Sequence, residues 1–195
     1  MDPEQLRHQV REKYRAVAAA PEDHFRYPVG RESAQGLGYP PEWLERIPAE
    51  VVDRFVGVGN PFDVARPEPG QRVLDLGCGC GMDVFVASIL VGETGSAVGL
   101  DMTEEMIHRG RLAAKDWSPR NVSFEIGNIE ELPFDDRAFD LVLSNGVLNL
   151  VPDKDRAFRE IARVLRPGGR FAAADLLVVD TIPDELLASK DAWST

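Results

Sequence analysis

The hydrophobic positions of this chain follow two different patterns. Near the start, Leu6, Val10 and Tyr14 recur at the spacing of one helix face, and Pro21 marks where that helix should end. Proline, glycine and aromatic residues then mix without a regular period, which is typical of a loop. The elements predicted in this part are a helix over 4–19, a loop over 21–40 and two short helices over 41–46 and 49–55.

From residue 71 onward, short apolar runs alternate with segments of helical period. Such alternation predicts a parallel sheet with helices on both faces, an α/β architecture. Thr103 is the expected N-cap of one helix, and the Arg166–Gly169 turn is the expected end of another. The predicted strands are Arg72–Leu76, Ala97–Leu100, Val122–Ile126, Phe139–Ser144 and Arg170–Leu177, and the predicted helices are Met82–Val91, Thr103–Asp116, 153–165 and one from about Pro183.

Charge narrows the classes of partner. The 195 residues carry a formal net charge of −11, which disfavours nucleic acid and anionic membranes. The first residues are charged and do not resemble a signal peptide, and the longest apolar stretch, Phe171–Val179, contains Asp175. We therefore expect a cytoplasmic protein with no nucleic-acid and no membrane partner.

The most informative segment joins the first strand to the first helix of the alternating part. Gly77, Gly79 and Gly81 follow Asp75 in a Gly-x-Gly-x-Gly turn. Glycines let a ligand approach the backbone closely, and the helix that follows presents free N–H groups. A carboxylate beside this turn opposes a pyrophosphate but suits a ligand with an ammonium and a sulfonium, as in S-adenosylmethionine.

A second acid supports this interpretation. Asp101 ends the second strand, 20 residues after Gly81, where a carboxylate can accept both ribose hydroxyls of a nucleoside. A glycine-rich turn followed by an acid at the end of the second strand also occurs in nicotinamide-dependent oxidoreductases, which are the alternative. The spacing of the glycines and the presence of Asp75 count against it.

Five segments together resemble the motifs of class I S-adenosylmethionine-dependent methyltransferases, in order, over about 105 residues. The resemblance implies the Rossmann-like fold of that class, with residues 66–195 as the cofactor-binding domain and residues 1–65 as an N-terminal helical cover. The five segments are Val73–Gly81, Val98–Met102, Gly127–Phe134, Phe139–Asn145 and Arg163–Arg170.

The resemblance also implies a role for each matched residue. Asp75 and the backbone of Gly77, Cys78, Gly79 and Gly81 would hold the methionine end of the cofactor. Asp101 would hold the ribose, and Met102 would pack on the adenine. The remaining implied contacts are Asn128 and Ile129 at the adenine and Ser144 and Asn145 near the methyl donor. No catalytic residue is assigned, since no general base stands out.

The N-terminal part narrows the resemblance to the arsenite-methyltransferase-like branch, through segments such as Phe25–Gly30 and Phe55–Pro61. In that branch thiolates bind trivalent arsenic, and two of those cysteines correspond to Val58 and Gly146 here. Cys78 and Cys80 leave two interpretations open, a thiol pair for metal or arsenic and small residues fitted into a tight turn. Two ligands do not complete a tetrahedral site, so no metal site is predicted.

The resemblance predicts seven strands, whereas this sequence provides five. We expect the last two strands to be absent, as in a chain truncated after strand five. The open edge of strand five would then be covered by a homodimer partner or by a natural continuation. Two functions follow, a methyltransferase acting on a small-molecule acceptor, and a cofactor-binding but inactive or regulatory module.

Overall fold

A computed structural model describes residues 3–21, 24–25 and 27–177 of the chain. Seven α-helices and five strands, with three short 3₁₀ turns at Pro61–Asp63, Ala114–Asp116 and Leu148–Leu150, make up this part. The helices are α1 Pro3–Val17, α2 Gly30–Gly36, α3 Pro41–Leu44, α4 Ala49–Val52, α5 Met82–Val91, α6 Glu104–Ala113 and α7 Lys154–Val164. The strands are β1 Arg72–Leu76, β2 Ser96–Asp101, β3 Val122–Ile126, β4 Phe139–Asn145 and β5 Leu165–Ala174.

The strands form one parallel sheet in the order β3-β2-β1-β4-β5. The chain first builds outward from β1 to β3 and then returns to place β4 on the other side of β1. This reversal lies between β1 and β4, and in open α/β sheets it opens a crevice at the carboxyl ends of the strands. The predicted α/β class and parallel sheet are confirmed.

Alternate residues of each strand enter two separate cores, as the two-residue period of a strand requires. Val73 and Leu141 face one core, which α5 and the helices α2 to α4 complete. Leu74 and Val142 face the other core, which contains the apolar side of α7. Because both faces are covered, β1 and β4 are buried along almost their whole length.

Two predicted elements were wrong in type or position. The loop predicted over 21–40 contains α2, which the pattern missed because Gly30 and Ala34 are its only buried residues. Strand five was predicted to begin at Arg170, yet β5 begins at Leu165 and ends at Ala174. Pairing with β4 passes from Leu165 directly to Arg170, so the proline-glycine turn is an unpaired bulge inside the strand. The helix expected from Pro183 lies outside the described residues.

Thr103 precedes α6 as predicted, but its hydroxyl accepts no hydrogen bond from the first turn of that helix. Its backbone N–H instead donates to Asp101 Oδ1 at 2.8 Å. The turn is therefore closed by the acid of β2, which fixes this carboxylate at the end of its strand. In the part of the chain that the structure describes, no helix has the length and apolar character needed to cross a bilayer.

Candidate functional site

A cleft lies at the carboxyl ends of the strands, above the reversal between β1 and β4. Most of the residues that the sequence singles out converge on it. Gly81 and Ser144 do not line it. The predicted residues that line the cleft are Asp75, Gly77, Cys78, Gly79, Asp101, Met102, Asn128, Ile129 and Asn145.

The three glycines of the turn have different structural roles. All have positive φ, the left-handed region that glycine adopts without strain. A Cβ on Gly77 would meet Val147 at 2.5 Å, and a Cβ on Gly81 would meet Phe124 at 2.5 Å, so both are packed against side chains. A Cβ on Gly79 would meet only Met106 Sδ, at 4.0 Å. Gly79 therefore presents bare backbone to the cleft, whereas Gly81 is a packing residue.

Asp75 is a buried carboxylate that has no polar partner among the described residues. The residue is only 3% exposed, and its side chain forms no hydrogen bond or ion pair with the described residues. Burial raises its pKa well above the ordinary range, and the nearby charges of Asp83 and Asp101 raise it further. A carboxyl that is costly to ionise in this position favours a cationic ligand group, which stabilises its charged form.

Asp101 is held from both sides. Its Oδ2 accepts a hydrogen bond from Gly79 N at 3.0 Å, and its Oδ1 accepts one from Thr103 N. Burial raises the pKa of this carboxyl, while those backbone donors oppose the shift. Each carboxylate oxygen has a second lone pair available, so the group can still accept two hydroxyls.

The loop after β3 is organised by Glu130. Asn128 Oδ1 accepts from Glu130 N at 3.0 Å, and Asn128 Nδ2 donates to Glu130 Oε2 at 3.2 Å. An aspartate at position 128 would place two carboxylates against each other, so the amide suits this partner. Ile129 is buried in the core beside Leu132 and presents one side to the cleft.

Asn145 belongs to a buried polar network that the sequence analysis missed. Its Nδ2 lies 3.0 Å from Asp83 Oδ2 and 3.1 Å from Tyr39 Oη, and Tyr39 donates to Asp83 Oδ1 at 2.6 Å. Its Oδ1 accepts from Val58 N at 2.9 Å and from Gly59 N at 3.2 Å. The side chain thus fastens the turn at 57–59 to the end of β4. An acidic residue in the first turn of a largely apolar helix, Asp83, was the available signal.

The other predicted residues are more local in their contacts. Ser144 is fully buried, and its hydroxyl has no hydrogen-bond partner among the described residues. Met102 is half-buried beside Asp101. Cys80 packs with its sulfur 3.4 Å from Met106 Sδ, and burial raises the pKa of its thiol to about 11. Burial likewise raises the pKa of Cys78 well above its usual value. Both thiols are therefore protonated at neutral pH, and neither is an activated nucleophile.

Val58 and Gly146 lie next to each other, and Gly146 lines the cleft. A Cβ built on Gly146 would stand 3.2 Å from Val58 Cγ1. Gly146 has φ of +71°, and its N–H donates to Ala174 O at 2.8 Å. The two positions that the resemblance associates with thiolates are thus adjacent in the fold, and neither carries a thiol.

Helix α1 forms the remaining wall. Arg7, Val10 and Tyr14 line the cleft from successive turns of one helix face. Burial raises the pKa of Tyr14, followed by the nearby charges of Tyr27, Asp101 and Asp175, so the hydroxyl stays protonated. The helix is tied down at both ends, by Arg7 to Glu130 and by Arg15 to Glu105.

Comparison with known proteins agrees with this geometry. A family described as methyltransferase domain matches residues 67–194. An arsenite methyltransferase from Halobacterium salinarum is 37% identical over 98% of this chain and 52% of its own length. The ubiquinone/menaquinone biosynthesis C-methyltransferase of Vibrio vulnificus is 40% identical over 68% of this chain and 51% of its own length.

Among solved structures, an arsenic(III) S-adenosylmethionine methyltransferase from Chlamydomonas reinhardtii superposes with a TM-score of 0.63. It is 37% identical, over 82% of this chain and 53% of that one. The chain spans about half the length of the curated relatives that it matches. The family model covers two thirds of the sequence, and the parallel sheet and the glycine turn agree with it. The chain therefore belongs to the methyltransferase-domain family, the class I enzymes whose cofactor is S-adenosylmethionine.

Proposed function

We propose that this chain binds S-adenosylmethionine in the cleft and transfers its methyl group to a small-molecule acceptor. One observation carries the proposal. Asp75, a buried carboxylate without a hydrogen-bonding partner in the described residues, stands beside a glycine that offers bare backbone to the cleft. That pairing suits a cationic ligand pressed against the turn, and it does not suit a phosphate.

The donor set fits the cofactor along its whole length. Asp75 would face the cationic methionine end, and Gly79 would let that end approach the backbone. Asp101, oriented by two backbone N–H groups, would accept the ribose hydroxyls. Met102 and Ile129 would pack against the adenine, and Asn128 would keep its second carbonyl lone pair for the adenine amino group.

The bound cofactor supplies an electrophilic methyl group on a sulfonium. The residues of the chain then contribute alignment and exclusion of water, which together lower the barrier of a displacement reaction. The Asn145 network would hold the turn at 57–59 in place beside the methyl end. Residues 1–65 would act as a cover that closes the cleft, with α1 as its inner wall.

For the acceptor, we propose an organic small molecule rather than trivalent arsenic. Arsenic(III) requires soft thiolate ligands, and the adjacent positions 58 and 146 carry Val58 and Gly146. The two thiols in the cleft, Cys78 and Cys80, are protonated. Among the relatives, the quinone-pathway C-methyltransferase supports an organic acceptor for this chain, and the arsenite enzymes support the metalloid.

Calorimetric titration tests the cofactor. We expect S-adenosylmethionine and S-adenosylhomocysteine to bind and NAD to give no heat above dilution. Asp101→Ala should weaken cofactor binding by about 100-fold or more, because two hydrogen bonds to a charged acceptor are lost. Unchanged binding by this variant would contradict the assignment of the cleft, and NAD binding would favour the oxidoreductase.

Two further measurements test the acceptor. Transfer of a labelled methyl group should be detected to some member of a panel of phenols, quinols, amines and thiols. Trivalent arsenic should not bind the wild-type protein, whereas a Val58→Cys, Gly146→Cys double variant should bind it. Submicromolar binding of arsenic by the wild type, lost when Cys78 and Cys80 are replaced, would overturn the proposal for an organic acceptor.

Location and assembly complete the proposal. We propose that the protein works in the cytoplasm, and that a second copy covers the edge of β5. In the described residues β5 pairs only with β4, and Leu176 and Leu177 beyond it are exposed. Light scattering after size-exclusion chromatography should give the mass of a dimer, and a monomer across the micromolar range would contradict this.

A further inference from the structure

We infer that the ion pair between Arg7 and Glu130 is a latch that holds helix α1 over the bound cofactor, with both as positioning residues. The inference rests on the proposed function, since it concerns how long the cofactor stays bound. The observation behind it is that the Glu130 carboxylate bonds to three separate segments that border the cleft.

Glu130 receives a hydrogen bond from each of three segments. Arg7 Nη1 of α1 donates to its Oε2 at 2.8 Å, and Asn128 Nδ2 of the loop after β3 donates to the same oxygen. Asp153 N, at the start of α7, donates to Oε1 at 2.9 Å. These segments all border the cleft, through Arg7, through Asn128 and through Val151 and Pro152 just before α7.

Only one of the three contacts can open without breaking the fold. Asn128 and Asp153 reach Glu130 from loops that follow or precede elements of the core, so they stay where the sheet and α7 place them. Arg7 lies on α1, whose buried apolar residues Leu6, Val10 and Val17 lie outside the two cores that flank the sheet. Arg7 is thus the movable partner and Glu130 the fixed one.

Burial makes this pair stronger than an ordinary surface ion pair. The side chain of Glu130 is 4% exposed and that of Arg7 is 28% exposed. When α1 lifts, Glu130 loses its cation in a poorly solvated position, which costs more than separating two exposed charges. The cleft is therefore held closed at the end where Asn128 and Ile129 stand.

The second ion pair of α1 provides a natural contrast. Arg15 Nε lies 2.7 Å from Glu105 Oε1 near the other end of the helix, but these side chains are 61% and 41% exposed. Neither residue lines the cleft. Exposed pairs of this kind contribute little, so Arg15→Ala removes a cation from the same helix without touching the latch.

Dissociation of S-adenosylhomocysteine, followed by stopped-flow displacement, tests the latch. We expect Arg7→Ala and Glu130→Gln to release it about tenfold faster than the wild type, and Arg15→Ala to change the rate less than about twofold. Arg7→Lys, which keeps the charge, should restore most of the residence time. The double variant should be no faster than either single variant, because both remove the same contact.

Urea unfolding of the same variants separates the latch from a general loss of stability. Arg7→Ala should unfold at a lower urea concentration than Arg15→Ala, because it leaves Glu130 buried without its cation, and both variants should be fully folded in the urea-free buffer in which dissociation is measured. Wild-type residence times in Arg7→Ala, or equal acceleration in Arg15→Ala, would overturn the latch and leave the proposed function standing. Failure of the wild type to bind S-adenosylhomocysteine would overturn the proposed function, and the latch with it.

Discussion

Replacing Asp75 with asparagine should change cofactor binding and stability in opposite directions. The substitution keeps the size of the side chain and removes its charge. Because the carboxylate is almost fully buried and lacks a hydrogen bond in the described residues, its ionised form destabilises the free protein. The same charge is what a cationic ligand would find at the turn.

The size of the binding effect follows from the lost charged contact. A hydrogen bond to a charged group is worth about 1.5–3 kcal/mol, and each 1.4 kcal/mol is tenfold in affinity, so the Kd for S-adenosylmethionine should weaken about 10- to 140-fold. The asparagine protein should in turn be the more stable one. The pKa of Asp75 is raised in the folded state, so its stability cost appears as pH rises through that pKa.

Calorimetry and urea unfolding between pH 5 and 9 would measure both effects. Wild-type affinity for S-adenosylmethionine should increase with pH as Asp75 ionises, and Asp75→Asn should lose that increase. Asp116→Asn, an exposed site outside the cleft that removes the same charge, is the matched control. A Kd within twofold of the wild type, or a less stable Asp75→Asn protein at high pH, would refute the reasoning.

Three more predictions follow from the same site. Gly81→Ala should lower the melting temperature, because its Cβ would enter the ring of Phe124, whereas Gly79→Ala should mainly weaken cofactor binding, by calorimetry. Burial raises the pKa of Asp83 from 3.8 to about 6. As the pH rises through that interval, the free energy of unfolding measured in urea should therefore decrease for the wild type relative to Asp83→Asn. Tyr39→Phe should destabilise the protein by about 1–3 kcal/mol, since it leaves buried polar partners unpaired; an unchanged urea midpoint would contradict this.

Local periodicity was enough to predict the sheet. Strand β1 and helix α5 have the predicted bounds, because each is a mostly apolar segment beside a glycine turn. Helix α2 was missed, since a seven-residue helix with two glycines and one buried alanine leaves no period to detect. The start of β5 was misplaced because the bulge between Leu165 and Arg170 resembles the turn that ends a helix.

That most of the predicted residues line one cleft could be foreseen because they are close in sequence to strand ends. The polar network was not, since Tyr39, Asp83 and Asn145 are separated by 44 and 62 residues and meet only after folding. The position of Glu130 was hidden for the same reason. A surface-like acid in a loop gives no sign that an arginine 123 residues away will cover it.

The contact between positions 58 and 146 has an evolutionary consequence. Gly146 needs a left-handed backbone, and any side chain added there approaches the branched end of Val58. In descendants of this chain, a larger residue at 146 should be tolerated better once position 58 has become smaller. The volumes at the two sites should then vary inversely across an alignment of related proteins.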